Sequence, residues 1–476
     1  RQRQMCIRDR FSSLVFLFTF LPITLSVYYI VPWKIKNIVL LIASLLFYAW
    51  GEPVYIILML LSITFNYFMG RDIDFNNNNS QKKKNSLILA VVVNIFILGF
   101  FKYYIFFVQT INSIFSINLP YRELALPIGI SFYTFQTLSY IIDVYMGKVE
   151  VQKNILNFGL YVSLFPQLIA GPIVRYIDVA NQMEHRKLSL DRFGLGTMYF
   201  IRGLAKKVLL ANNIGLLHTA IVGMNFGEIS VLTAWIGGLA YTFQIYFDFG
   251  GYSDMAIGLG KMLGFNFMKN FDYPYISESI TEFWHRWHIS LSTWFKEYVY
   301  IPLGGNRVSV PRHIINIMIV WFLTGLWHGA SWNFVVWGLY YGIFLLIEKY
   351  LLGRLIAKMP RVLRHVYLVI VVIIGWVFFF SPDLGYAVKY IGCMFGVGAA
   401  GFVSRSAIYY FLTNLILILI CSFGSTPYVH QLFKAVIFKT KKKRIWSAVI
   451  VYALLFLVVV AYLVSATYNP FLYFRF

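Results

Sequence analysis

Residues 314–347 read IINIMIVWFLTGLWHGASWNFVVWGLYYGIFLLI, without a single Asp, Glu, Lys or Arg. A bilayer-crossing helix needs about 20 mostly apolar residues, so this run holds one long crossing helix or two. Similar charge-free runs occupy 11–33, 37–51, 53–70, 85–101, 103–121, 124–142 and 154–174. Others follow at 208–227, 229–247, 366–382, 390–404, 406–433 and 445–474. Some are too short to cross alone. The pattern predicts an all-α, polytopic membrane protein of about 10–12 transmembrane helices. Re-entrant or interfacial helices are expected where protein or a water-filled cavity satisfies the backbone.

Composition points the same way. Of 476 residues 59% are apolar and 13% charged, half of the roughly 25% charged residues typical of soluble domains. Aromatics at 19% and the lack of a glycine period exclude disordered and collagen-like chains. Lys and Arg outnumber Asp and Glu by 41 to 19, a formal charge of +22. The basic stretches Lys34–Lys36, Arg71–Lys84 and Lys439–Arg444 read as positive-inside loops beside anionic headgroups, not as a nucleic-acid surface. The first two lie two spans apart, so both are expected on the cytoplasmic side. Residues 1–10, RQRQMCIRDR, break this rule with four arginines and lack the character of the remaining chain. They are expected to be a non-native extension, leaving 11–476 as a single membrane domain. The three cysteines, Cys6, Cys393 and Cys421, have neither disulfide nor metal spacing.

Polar residues concentrate from about Asp143 onward, and with His328 the functional centre is set at roughly 143–345. Within it, 276–298 (ISESITEFWHRWHISLSTWFKEY) predicts one amphipathic helix. Ser277 or Ser279 can cap it, and Glu278 and Glu282 complement its dipole. Trp284, His288, Leu291 and Phe295 recur at spacings that put them on one face.

Between Ile314 and Ile347 the chain has no acid, no base and no histidine other than His328. An ionisable group at membrane depth is costly and marks function by default, and a neutral imidazole can accept a proton near neutral pH. Gly325, Gly329 and Ala330 are expected to leave room for a substrate beside it. The alternative is a structural histidine bonded to a carbonyl. For His288, flanked by Trp284, Trp287 and Trp294, the alternative is an interfacial anchor. His285 and His288 are three apart, but nothing completes a metal-ligand set, so no metal is expected. The Gly-rich strings at 247–260 and 301–306 lack the context of a nucleotide fingerprint and are expected to serve close helix packing or bends.

Five ordered strings carry a family resemblance: PIGISFYTFQTLSYIIDVYMG (127–147), FPQLIAGPIVRY (165–176), YFDFGGYSDMAIGLGKMLGF (246–265), FWHRWHISLSTWFKEYVYIPLGGNR (283–307) and GLWHGASWNFVVWG (325–338). Together they resemble the bacterial branch of the membrane-bound O-acyltransferase family, nearest its alginate O-acetylation and peptidoglycan O-acetyltransferase members. The resemblance implies a helical domain around a central funnel, with His328 (in Trp327-His328-Gly329) and His288 as catalytic residues. Arg175 and Arg307 match basic family positions; with Trp327 and Asn333 they are expected to contact donor or acceptor. Acyl transfer from a thioester to a hydroxyl needs a base and an oxyanion donor. His328 is expected to be the base, with His288 orienting it or donating to the donor carbonyl. The resemblance further implies acetyl-CoA as donor and no permanently bound cofactor. It also implies an extracytoplasmic polysaccharide or a partner transferase as acceptor, in the bacterial inner membrane. The competing readings are D-alanyl transfer to teichoic acid, a non-enzymatic polysaccharide-precursor transporter, and a scaffold for a secreted transferase.

Overall fold

The computed structural model describes residues 11–465 apart from 123, 169–170, 430 and 433–440, together with Leu472. Residues 1–10 and the start of the basic stretch at 439 lie outside the described residues. Those described form helices and turns, with no strand among them.

Contacts divide the chain into two compact units. One runs to Phe200 and adds Asp254–Met268; the other takes Ile201–Ser253 and the chain from Lys269. The first contains α1 (Phe16–Ile30), α2 (Trp33–Gly51), α3 (Ile56–Phe75), α4 (Ser80–Phe115), α5 (Ile130–Tyr145), α6 (Ile155–Ser163) and α7 (Tyr176–Glu184). Next along the chain are α8 (Leu190–Ala205), α9 (Asn212–Val222) and α10 (Val231–Met262). The second unit continues with α11 (Ile280–Arg286), α12 (Ile289–Phe295), α13 (Val310–His328), α14 (Trp332–Lys358), α15 (Arg361–Phe380), α16 (Leu384–Met394), α17 (Arg405–Gly424) and α18 (Lys441–Ser465).

Among the described residues, eight helices are long and apolar enough to cross a bilayer: α2, α3, α4, α13, α14, α15, α17 and the Trp446–Ser465 part of α18. The protein is therefore a multi-pass, all-α membrane protein. The other apolar runs of the described residues do not meet that length and composition. Helix α10 has the length, at 32 residues, but carries Asp248, Asp254 and Lys261, while α5 has only 16 residues.

In the first unit, α3, α4 and α5 pack against one another around a buried polar cluster. Asn94 Nδ2 donates to Asn66 Oδ1 at 2.7 Å, Asn66 Nδ2 donates back to Asn94 Oδ1 at 3.1 Å, and Thr137 Oγ1 donates to Asn94 Oδ1 at 3.2 Å. The remaining amide protons go to Ser62 O and Ala90 O one turn earlier. Such side chains bond helices together in lipid, where water cannot.

In the second unit, the run at 314–347 resolves into two helices. Helix α13 stops at His328, Gly329 is extended, and α14 restarts at Trp332 after Ser331. The two then pack side by side at backbone contact. A Cβ on Gly325 would lie 2.4 Å from Phe334 O, and one on Gly338 would lie 2.2 Å from Trp321 O. Close approach of this kind is the membrane use of small residues. The glycines expected to open space beside His328 are instead filled: a Cβ on Gly329 would meet the Phe334 ring at 2.3 Å.

Candidate active site

The spacing within 276–298 predicts one helix, and the structure differs. The segment forms two seven-residue helices, α11 and α12, broken at Trp287 and His288. His288 has φ 44° and ψ 53°, the left-handed region, which costs an L-residue roughly 1–2 kcal/mol. The surroundings fix this turn from both sides. On the α11 side, Ser279 Oγ accepts the Glu282 N–H as expected of a cap. The buried Glu348 carboxylate of α14 accepts the N–H groups of Ile280 at 2.6 Å and Thr281 at 2.9 Å. A carboxylate on the first turn satisfies its unpaired donors and complements the helix dipole. Glu278 pairs with Arg361 and Arg364 of α15, each at 2.8 Å.

On the α12 side the clamp is Asn270. Its backbone carbonyl accepts the Ile289 N–H at 3.0 Å. Its Oδ1 accepts the Ser290 N–H at 3.1 Å, the Ser290 hydroxyl at 2.9 Å and His288 Nδ1–H at 3.1 Å. The backbone donor identifies the facing Asn270 atom as oxygen, which cannot donate. His288 therefore carries its proton on Nδ1 and a lone pair on Nε2. Nε2 is buried and has no hydrogen-bond partner among the described residues. Burial also pushes the imidazole down to about 3, because a low-dielectric site disfavours the charged form. His288 is a neutral ring with one basic nitrogen facing inward.

His288 is 1% exposed and His328 5% exposed. The Trp327 indole links them, its centroid 5.9 Å from the His288 ring and 4.9 Å from the His328 ring. His328 is further enclosed by Trp337 at 4.8 Å and Phe379 at 5.3 Å, both edge-on. Phe249 meets His288 edge-on at 4.8 Å. The two imidazoles are thus buried within a cluster of aromatic rings, a low-dielectric setting that strengthens electrostatic interactions.

Of the other expected residues, Trp327 is at this centre. Asn333 is the second residue of α14, and its Nδ2 donates to Phe378 O at 3.1 Å and Ser381 O at 2.9 Å. These bonds tie the start of α14 to the end of α15. Arg307 is exposed in the turn before α13. Arg175 lies in the first unit, half-buried at the start of α7, and pairs with Asp178 at 2.8 Å. A cavity of about 550 Å³ opens beside α11, lined in part by Ser279, Thr281, His285, Tyr300, His313 and Lys349. Neither His288 nor His328 lines it. Sequence reasoning missed Asn270 and Glu348. Glu348 could have been flagged as an acid closing a long apolar run; Asn270, in the polar string KNFDYP, offers no local signal.

Comparison with known proteins adds to this geometry. A model of the membrane-bound O-acyltransferase (MBOAT) family matches residues 149–385. The chain is 44% identical over 393 residues to the probable alginate O-acetylase of Azotobacter vinelandii, covering 82% of this chain and 78% of that protein. It is 35% identical to the peptidoglycan O-acetyltransferase of Helicobacter pylori, covering 81% and 80%. Similarity to the teichoic acid D-alanyltransferase of Bacillus subtilis is 28% and covers 48% of this chain and 60% of that one.

Proposed function

The chain belongs to the membrane-bound O-acyltransferase family, and from that premise we propose that it O-acetylates an extracytoplasmic polysaccharide. The acetyl group comes from acetyl-CoA at the cytoplasmic face of the bacterial inner membrane. It reaches the polymer directly or through a partner transferase. The acetyl branch is supported by the two O-acetylating relatives, each covering more than three quarters of its length. The observation that carries the chemistry is the pair of buried histidines sharing one indole.

In the proposed reaction, the acceptor hydroxyl oxygen attacks the thioester carbonyl carbon as His328 takes the hydroxyl proton. The tetrahedral intermediate collapses, the C–S bond breaks, and the imidazolium returns its proton to the leaving thiolate. General base action of this kind contributes about 10²–10⁴-fold. The tautomer of His288 supports an orienting role for it: Nε2 accepts a hydrogen bond from an acceptor hydroxyl. It argues against the alternative of His288 donating to the donor carbonyl, since its one proton is held by Asn270. Trp327 forms the shared wall against which the substrate packs. Arg307 and Arg175 contact the anionic donor or acceptor, and Asn333 supports the site by holding α14 to α15.

The test is base-labile acetate on the envelope polymer of cells expressing wild type, His328→Ala and His288→Ala at equal membrane levels, with ester-linked D-alanine measured beside it. Acetate lost with His328→Ala and D-alanine unchanged is the expected result. A fall in D-alanine instead would assign a D-alanyl donor. Unchanged acetate in both variants would overturn the catalytic assignment and leave a transporter or scaffold.

A further inference from the structure

Two of the buried cations of the first unit lie against one tyrosine, and nothing in the proposed chemistry uses them. Lys36, near the start of α2, and Arg186, just after α7, are each 6% exposed. Both surround Tyr28 at the end of α1. Lys36 Nζ donates to Tyr28 O and lies 4.7 Å from the Tyr28 ring centroid. Arg186 Nε donates to Tyr28 Oη at 3.0 Å, and that hydroxyl donates onward to Leu263 O at 2.8 Å. Arg186 Nη1 donates to Met183 O at 3.2 Å near the end of α7. The guanidinium carbon lies 4.6 Å from the Phe265 centroid and 5.1 Å from that of Trp33.

Two features go beyond structural anchoring. The outer nitrogen Nη2 of Arg186 is buried without a hydrogen-bond partner among the described residues. Neither cation forms an ion pair with a carboxylate among those residues. Burying one unpaired charge is expensive, and two neighbouring like charges compound the cost. The positive-inside pattern of the sequence would put the cradle at headgroup depth. Lys34 and Lys36 form the first positive-inside stretch, Lys34 and Lys187 are exposed beside it, and Trp33 is 43% exposed. Amphipathic aromatics with basic residues mark the cytoplasmic interface.

We propose that Lys36 and the Nη2 edge of Arg186 form a binding site for a phosphate group. An anionic lipid headgroup or a soluble nucleotide-type phosphate can supply that group, and both offer the acceptor oxygens that a guanidinium fork and an ammonium recognise. No residue of this site is among those assigned to the acyl transfer, so its test does not rest on that reading.

The test is thermal unfolding of the full-length protein in detergent, titrated with phosphatidylglycerol, with phosphatidylcholine, and with inorganic pyrophosphate. Wild type is expected to gain stability saturably from one of the anions but not from phosphatidylcholine. Lys36→Gln and Arg186→Gln should each weaken the apparent affinity at least about tenfold, the value of one charge-assisted hydrogen bond. Arg186→Lys should fall between. Lys82→Gln, on an exposed basic stretch, should respond as wild type does. A response to phosphatidylglycerol alone assigns the lipid, and one to pyrophosphate assigns a soluble phosphate. If Arg186→Gln fails to fold, Lys36→Gln decides by itself. The proposal is overturned if neither anion stabilises wild type, or if Lys36→Gln responds as wild type does.

Discussion

Two buried polar clusters in this molecule use the same residue type in opposite ways. Around Asn66, Asn94 and Thr137 the amides bond one another reciprocally and give their spare protons to backbone carbonyls. Around Asn270 the amide oxygen gathers three donors. Asn270 Nδ2 and His288 Nε2 are left over, unpartnered among the described residues. A closed cluster consumes its own polarity and returns cohesion between helices. An open one keeps a costly unmet valence inside the protein, which is what a site awaiting a substrate needs.

The sharpest way to break this comparison is to remove the base. His328→Ala should lower polymer acetate by about 100-fold or more at equal membrane levels, read as base-released acetate; a partial loss would remove His328 from the proton transfer. Next is Asn270. Asn270→Ala frees the His288 tautomer and uncaps α12, so acetylation in membrane vesicles should drop about tenfold, the value of one lost hydrogen bond that orients a reacting group. Asn270→Asp keeps the acceptor for Ser290 but places a carboxylate against Nδ1, which favours the imidazolium. The His288 pKa then rises from about 3, Nε2 is protonated as pH falls, and activity near pH 5 should decline relative to pH 8. Wild type should show no acid limb from His288 in that range. Asn270→Asp with a wild-type pH profile would sink the tautomer argument.

Smaller effects should come from packing. Gly338→Ala pushes a methyl into Trp321 O, a backbone atom that cannot swing aside, and should cost about 1–3 kcal/mol of stability by overpacking, seen as a lower unfolding temperature. The smallest change belongs to the closed cluster. Asn94→Ala should cost about 1 kcal/mol, in the range of interhelical hydrogen bonds in lipid. The pair Asn66→Leu with Asn94→Leu should recover most of it, and acetylation should be unchanged in both. Loss of acetylation in the Leu pair would show that the closed cluster is not merely structural.

Much of this was legible in the sequence because lipid is a demanding solvent. The run at 314–347 announced itself by length and lack of charge, and Gly329 and Ser331 within it mark the observed break between α13 and α14. His328 was legible as a candidate for the same reason, as the lone histidine in a run without acid or base. The break at His288 was not, since Trp284, His288, Leu291 and Phe295 keep helical spacing straight through it. The breaking agent is Asn270, 18 residues upstream, and a period measured along the chain cannot register a clamp that arrives from elsewhere. Gly325 and Gly329 were misread because sequence shows that a residue is small, not what fills the space beside it.

The left-handed turn at His288 has a consequence for anyone seeking a hardier enzyme. Asparagine and glycine adopt φ near 44° far more readily than histidine does, so selection for heat resistance has something to gain at position 288. Neither replacement brings an imidazole. A screen scored by survival alone would therefore be drawn toward variants that, on the reading proposed above, have exchanged turnover for durability.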